Sequence, residues 1–301
     1  MIDALLAVSM LLQAKPEYTV EATGDAVVVK ERGKEMLGYQ LKKPADSKLA
    51  VEFACYFHPL ATPSGAVLTD VAPADHKHHR GIFMAWFDMK GKKDADFWGW
   101  GQYAPVKDRI IVNRGVSEPQ QAGQGIWFDI ENDWKAEGQV LLKEELRAML
   151  SRKDALNILD LVYQLKADSD ITLPQRAFSG FCLRVRKDGK ATVEGPDGEV
   201  KLPAPHHLKP ESDWPAQAWY GYQITLPDGA QLGGAVIDHP KNPPSLWHNP
   251  AAIRMINPCV MASKDVVIKA AEPLVLRYRV VAWDGATPRD LVNSLAKDWT
   301  K

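Results

Sequence analysis

The stretch "LLKEELRAMLSRKDALNILDLVYQL", residues 141–165, decides the fold class. Its leucines, glutamates, lysines and arginines favour a helix, and Leu142, Leu146 and Met149 would share one helical face. The same residues also read as two strands that turn near Lys153-Asp154. On the strand reading Glu144 lies on one face with Leu142, Leu146 and Ala148. An inward carboxylate is costly unless it is partnered, which makes Glu144 a candidate acid or base with a raised pKa. Local propensity chooses the helix, so the flanking sequence has to arbitrate.

The flanks are β-like. "VEFACYF" (51–57) and "GIWFDI" (125–130) alternate apolar and polar residues, as half-buried strands do. "LVLRYRVVAW" (274–283) sets Leu274, Leu276, Tyr278 and Val280 against Arg277 and Arg279. "GIFMAWF" (81–87) is apolar throughout and suits a strand buried on both faces. Turn signals at Gly24-Asp25, Gly33-Lys34, Asp188-Gly189, Pro196-Asp197-Gly198 and Pro227-Asp228-Gly229 separate short runs. The expectation is an all-β protein, a large antiparallel β-sandwich forming a single domain over residues 15–301. "TPRDLVNSLAKDW" (287–299) adds a short C-terminal helix, with Thr287 as cap, Pro288 at the first helical position, and Leu291, Leu295 and Trp299 on one face. No internal repeat is visible, and "KLPAPHHLKPESDWP" (201–215) reads as a long proline-rich loop.

Composition narrows the class of function. The chain has 301 residues, 46% hydrophobic and 25% charged, with a formal net charge of -1. That balance offers no basic surplus for a phosphate backbone, which argues against nucleic-acid binding. Ten tryptophans suit either β-rich cores or surfaces that stack on sugars. Cys55, Cys182 and Cys259 are far apart in sequence and read as buried free thiols. Ala4 to Leu12 is apolar but far short of the ~20 residues of a membrane span. With Ala14 preceding Lys15-Pro16, residues 1–14 are expected to be a signal peptide, which would place the protein in the periplasm or outside the cell.

Chemistry concentrates in "APADHKHHRGIF" (72–83), where Asp75, His76, His78, His79 and Arg80 crowd against an apolar run. An extended backbone would point His76 and His78 one way and Asp75 and His79 the other. A helical turn from Pro73 would instead bring His76 to His79. Either arrangement gathers imidazoles suited to acid–base work or to a divalent metal, zinc or calcium, held by His76, His78 and His79. "DFWGWG" (96–101) offers Trp98 and Trp100 as a stacking platform, and "GFCLRVRKDG" (180–189) offers Arg184 and Arg186 to hold a substrate oxygen. "IDHPKNPPSLWHNP" (237–250) places His239, Trp247 and His248 in a loop, where functional groups often collect. Asp70 is a second candidate acid.

These motifs, taken in order with "YFHPLATPSGAVLTDVAPADHKHHRGIFMAW" (56–86) and "LRYRVVAWDG" (276–285), resemble the bacterial family labelled PmoA, or methane oxygenase. The resemblance covers nearly all of the chain after residue 14. It implies a β-rich single domain, and so strands over 141–165. It marks His58, Pro59, Asp75, His76, His78, His79, Arg80, Gly81, Trp98, Trp247 and His248 as shared positions. The label implies a metal-dependent oxygenase. A chain with tryptophan-rich loops and no spanning helix suits an exported hydrolase or lyase acting on glycosides or modified sugars better. On that reading Asp75, His76, His78, His79, Arg80 and Glu144 do the chemistry, while His58, Trp98, Trp100, Arg184, His239, Trp247 and His248 bind a carbohydrate or other small molecule. A non-catalytic carbohydrate-binding protein is the remaining alternative.

Overall fold

A computed structural model describes residues 17–99, 109–201, 214 and 216–299. The stretch 141–165 forms strands. Gln139–Lys153 pairs antiparallel with Leu156–Ala167, with Leu146 opposite Tyr163 and Leu150 opposite Leu159. The turn between them holds Asp154 at φ 52°, a left-handed position that aspartate tolerates better than most residues. Leu142, Glu144, Leu146, Ala148 and Leu150 are all buried, and Lys143, Glu145 and Arg147 between them are exposed. Burying that alternate row outweighs the stretch's helix propensity, which is worth at most ~0.7 kcal/mol for each ordinary residue.

Two large antiparallel sheets dominate the described residues, beside two small two-stranded ones. The first has seven strands in the order Tyr18–Ala22, Ala26–Glu31, Lys34–Gln40, Tyr56–Leu60, Ile82–Ala85, Gly180–Arg184 and Met255–Ile256. The second has ten, centred on Leu274–Asp284, Leu156–Ala167, Gln139–Lys153 and Gly125–Ala136. Side chains from both fill one continuous core. Across it Phe181 of the first sheet stacks on Tyr278 of the second, with ring centroids 4.1 Å apart. The expected β-sandwich is the observed fold.

The helix Arg289–Asp298 covers the outer face of the second sheet. It seats Val292, Leu295 and Ala296 against Ile158, Trp219, Ile237 and Trp283. Thr287 does not cap it: its hydroxyl donates to Oε1 of Gln223, and Pro288 occupies the cap position. "VEFACYF" is also less regular than its pattern suggests. The strand begins only at Tyr56, because Cys55 turns the chain at φ 58°. All three cysteines are buried free thiols. Among the described residues no helix is long and apolar enough to cross a membrane. The leader expected over 1–14 lies outside the described residues, as does most of the loop 201–215.

Candidate active site

Phe181 and Leu183 face the core, so alternation along Gly180–Arg184 turns Cys182 and Arg184 to the outer face of the first sheet. The same argument places Phe83, opposite Cys182, and His58, next to the inward-facing Phe57, on that outer face. The segment 70–80 folds over it. Its backbone joins the sheet through Asp70 N–H to Arg184 O (3.1 Å) and Gly81 N–H to Asp70 O (2.8 Å). Gly81 has φ 58°, and a Cβ there would lie 2.1 Å from the carbonyl oxygen of Phe57, so this join requires glycine.

Between these anchors the chain makes two successive tight turns. His76 N–H donates to Pro73 O at 3.0 Å, and His79 N–H donates to His76 O at 2.9 Å. The turns gather the three imidazoles. The rings of His76 and His79 stack with centroids 4.9 Å apart, and His78 meets His79 edge-on at 4.5 Å. The turn geometry, with His76 over His79, is the one the chain adopts.

Arg184 lies beneath the cluster, fully buried. One Nη is 3.2 Å from Nδ1 of His79, and the other donates to both oxygens of Asp75 at 3.2 and 3.3 Å. Lys187 Nζ reaches Oδ2 of Asp75 at 3.1 Å, and Nδ1 of His76 lies 3.1 Å from the same oxygen. Burial alone would raise the pKa of Asp75. The Lys187 ammonium, the Arg184 guanidinium and the His76 ring outweigh it and hold the carboxyl well below its usual range. Burial has the opposite effect on the histidines, pushing His78 down to about 3 and His79 well below 6.5, with neighbouring charges adding to the shift. Those two rings are neutral at ordinary pH. Sequence reading missed Lys187 and Thr69. Lys187 stands inside "LRVRKDG", and only its proximity to Asp75 in space marks it out.

The remaining shared positions take different places. His58 is linked to the hydroxyl of Thr69, Nδ1 to Oγ1 2.8 Å, and burial lowers it to about 4. Thr69 and Lys187 line an open depression together with Val67, Asp70, Arg186 and Asp188. Burial raises the carboxyl of Asp70 above its usual value. His248 packs against Phe178 at 5.2 Å, and Phe178 in turn meets Trp98 at 5.9 Å, so two aromatic rings separate His248 from the cluster.

Several expected site residues face elsewhere. Arg80 is fully buried and gives its Nη hydrogens to the carbonyls of His78, Phe97 and Trp98. It therefore braces the loop and does not face a substrate. Trp98 is 1% exposed and packs on His78, His79 and Phe83, so it is a core wall and not a stacking platform. Trp100 lies outside the described residues. Trp247 is equally buried, with Nε1 donating to Gln217 O at 3.2 Å. His239 accepts a hydrogen bond from the Lys241 N–H and packs edge-on against Trp299 beside the C-terminal helix.

Glu144 belongs to another network. It lies inside the sandwich, where Oε1 accepts from Asn132 at 2.7 Å and Oε2 from Trp134 Nε1 at 3.1 Å. Burial raises it to about 7. Its partners are core groups, and the histidines are not among them. Among the described residues no three His, Cys, Asp or Glu side chains converge to hold a metal ion. The expected ligand set of His76, His78 and His79 is not formed: His76 and His79 lie face to face, and the Arg184 cation occupies Nδ1 of His79.

With this geometry in view, residues 26–297 match one known family. The chain belongs to the Family of unknown function (DUF6807). That description connects DUF6807 to no methane oxygenase, so the PmoA label implied by the resemblance is not carried by the match. No curated protein matches the chain. Solved structures similar to this DUF6807 member include a galactose mutarotase related enzyme from Lactobacillus acidophilus. It is 9% identical, with a TM-score of 0.40 over 90% of this chain and 98% of that one. An alpha-galactosidase from Lactobacillus brevis is 8% identical, with a TM-score of 0.38 over 91% of this chain, which spans 40% of that enzyme. The polysaccharide lyase BACCELL_00875 is 10% identical, with a TM-score of 0.36, covering 95% of this chain and 35% of its own.

Proposed function

We propose that this protein is an enzyme of carbohydrate chemistry that cleaves a glycosidic bond at the outer face of the first sheet, with His76 as its proton acceptor. The observation that carries this reading is the contact between Asp75 and Nδ1 of His76, 3.1 Å, in a carboxylate already fixed by Arg184 and Lys187. A carboxylate at one ring nitrogen orients the imidazole, leaves the lone pair on the other nitrogen, and stabilises the imidazolium once a proton arrives. The His76 side chain is 23% exposed, so solvent and substrate reach it.

In the proposed step water gives a proton to Nε2 of His76 while its oxygen bonds to the anomeric carbon. The glycosidic carbon–oxygen bond breaks, and the leaving oxygen takes a proton from Asp70, whose raised carboxyl suits a donor. His76 then returns its proton to Asp70 through solvent. The groups around the depression and the cluster mix hydroxyl, neutral imidazole, carboxylate and ammonium. Such a set of donors and acceptors suits a polyhydroxylated ligand better than an apolar one.

The test is a panel of oligosaccharides and glycosides, with binding and products both followed by NMR. New reducing ends signal hydrolysis, and an unsaturated sugar would signal elimination by the same base. Binding without turnover on every member would favour the non-catalytic alternative. No binding at all would overturn the carbohydrate assignment.

A further inference from the structure

We infer that Arg184 is a positioning residue that fixes the stacked histidines in opposite tautomers, His79 protonated on Nε2 and His76 on Nδ1. The inference rests on the reading of His76 as proton acceptor and assigns its neighbour a complementary part.

A guanidinium can only donate. The Nη lying 3.2 Å from His79 Nδ1 therefore requires a lone pair on that nitrogen and leaves the ring proton on Nε2. The other Nη of the same guanidinium donates to Asp75, whose Oδ2 sits 3.1 Å from Nδ1 of His76. A carboxylate can only accept, so it favours the proton on that nitrogen and leaves the lone pair of His76 on Nε2. Arg184 is fully buried, with its outer hydrogens committed to two partners, and cannot swing away. The Lys187 ammonium, 3.1 Å from the same Oδ2, keeps that carboxylate ionised and accepting.

Two rings stacked 4.9 Å apart thus carry unlike Nε2 atoms, one a donor and one an acceptor. His76, whose side chain is 23% exposed, is the ring offered to a substrate hydroxyl, and His79, 2% exposed, stays behind it. Burial and the cations around His79 keep it from becoming a second imidazolium, so it serves as a neutral donor.

The experiment is two-bond ¹⁵N–¹H correlation NMR on the full chain labelled at its histidine ring nitrogens, which separates the two tautomers directly. Signals are assigned with His76→Gln and His79→Gln. The expected wild-type spectrum shows His79 with a bare Nδ1 and His76 with a bare Nε2. A proton on Nδ1 of His79, or both nitrogens of His79 protonated at neutral pH, would overturn the inference. In Arg184→Lys the fixed pattern of His79 is expected to give way to a mixture of tautomers while the other histidine signals stay in place. An unchanged His79 in that folded variant would also overturn it. If Arg184→Lys does not fold, the wild-type spectrum decides alone. Tautomers as expected but no turnover of any sugar would defeat the proposed function and leave this inference standing, and a His79 protonated on Nδ1 with turnover intact would do the opposite.

Discussion

The guanidinium of Arg80 lies 4.3 Å over the ring of Phe83, sealed between the first sheet and the loop that carries the histidines. It ties that loop, through the carbonyl of His78, to the segment that carries Phe97 and Trp98, whose carbonyls it also holds. Its role is therefore mechanical, and Arg80→Met should cost about 2–4 kcal/mol of stability by leaving those carbonyls without donors. Urea unfolding measures this. An unchanged midpoint combined with lost turnover would instead place Arg80 in the chemistry.

Asp75 offers the converse case, because it answers a buried cation. Asp75→Asn leaves Arg184 with a neutral partner and should destabilise the protein by about 1–3 kcal/mol. In the same variant turnover should fall by more than the loss of folded protein explains, because His76 loses its orienting carboxylate. Unfolding and rate measured side by side separate the two effects.

Glu144 predicts a pH dependence of stability. Its carboxyl titrates near 7 when folded and near 4.5 when unfolded. Between those values the folded state keeps a proton that the unfolded state has released, so stability from this group is full below about 4.5, falls as pH rises, and levels off above about 7. The span is on the order of 3 kcal/mol. The stability of wild type relative to Glu144→Gln should fall steadily from pH 5 to pH 7 and then level off, measured by urea unfolding at each pH. A constant difference would show that Glu144 does not titrate in this range.

His58 has the opposite sign. Burial lowers it from 6.5 to about 4. The unfolded chain therefore takes up a proton first as the solution is acidified, and stability falls between about 6.5 and 4. His58→Gln should flatten that acid limb, and an unaltered limb would assign it to other groups.

Gly81→Ala should destabilise the molecule by more than about 1 kcal/mol, because the residue combines φ 58° with a backbone contact at 2.1 Å. Soluble yield and melting temperature are the readouts.

Much of this architecture is legible in the sequence, for reasons that differ by residue. Alternation marks residues 125–130 and 274–283, which lie in the strands Gly125–Ala136 and Leu274–Asp284, and it also gives the inward direction of Glu144. The Leu141–Leu165 stretch resists local reading because its helix formers are held in strands by pairing with distant neighbours, Leu274–Asp284 among them. The histidine cluster is visible as a motif. Its supports are not, because Arg184 and Lys187 are more than a hundred residues from Asp75 in sequence. Glu144 and Arg80 show the limit from the other side. Residue type nominates them for chemistry, and burial assigns them to the core.

The most direct test of the account is the turnover of His76→Gln on any glycoside the wild-type protein cleaves, measured with the affinity for the same compound. The account predicts a fall in rate of roughly 10²–10⁴-fold with affinity little changed. Equal rates in the two proteins would contradict it.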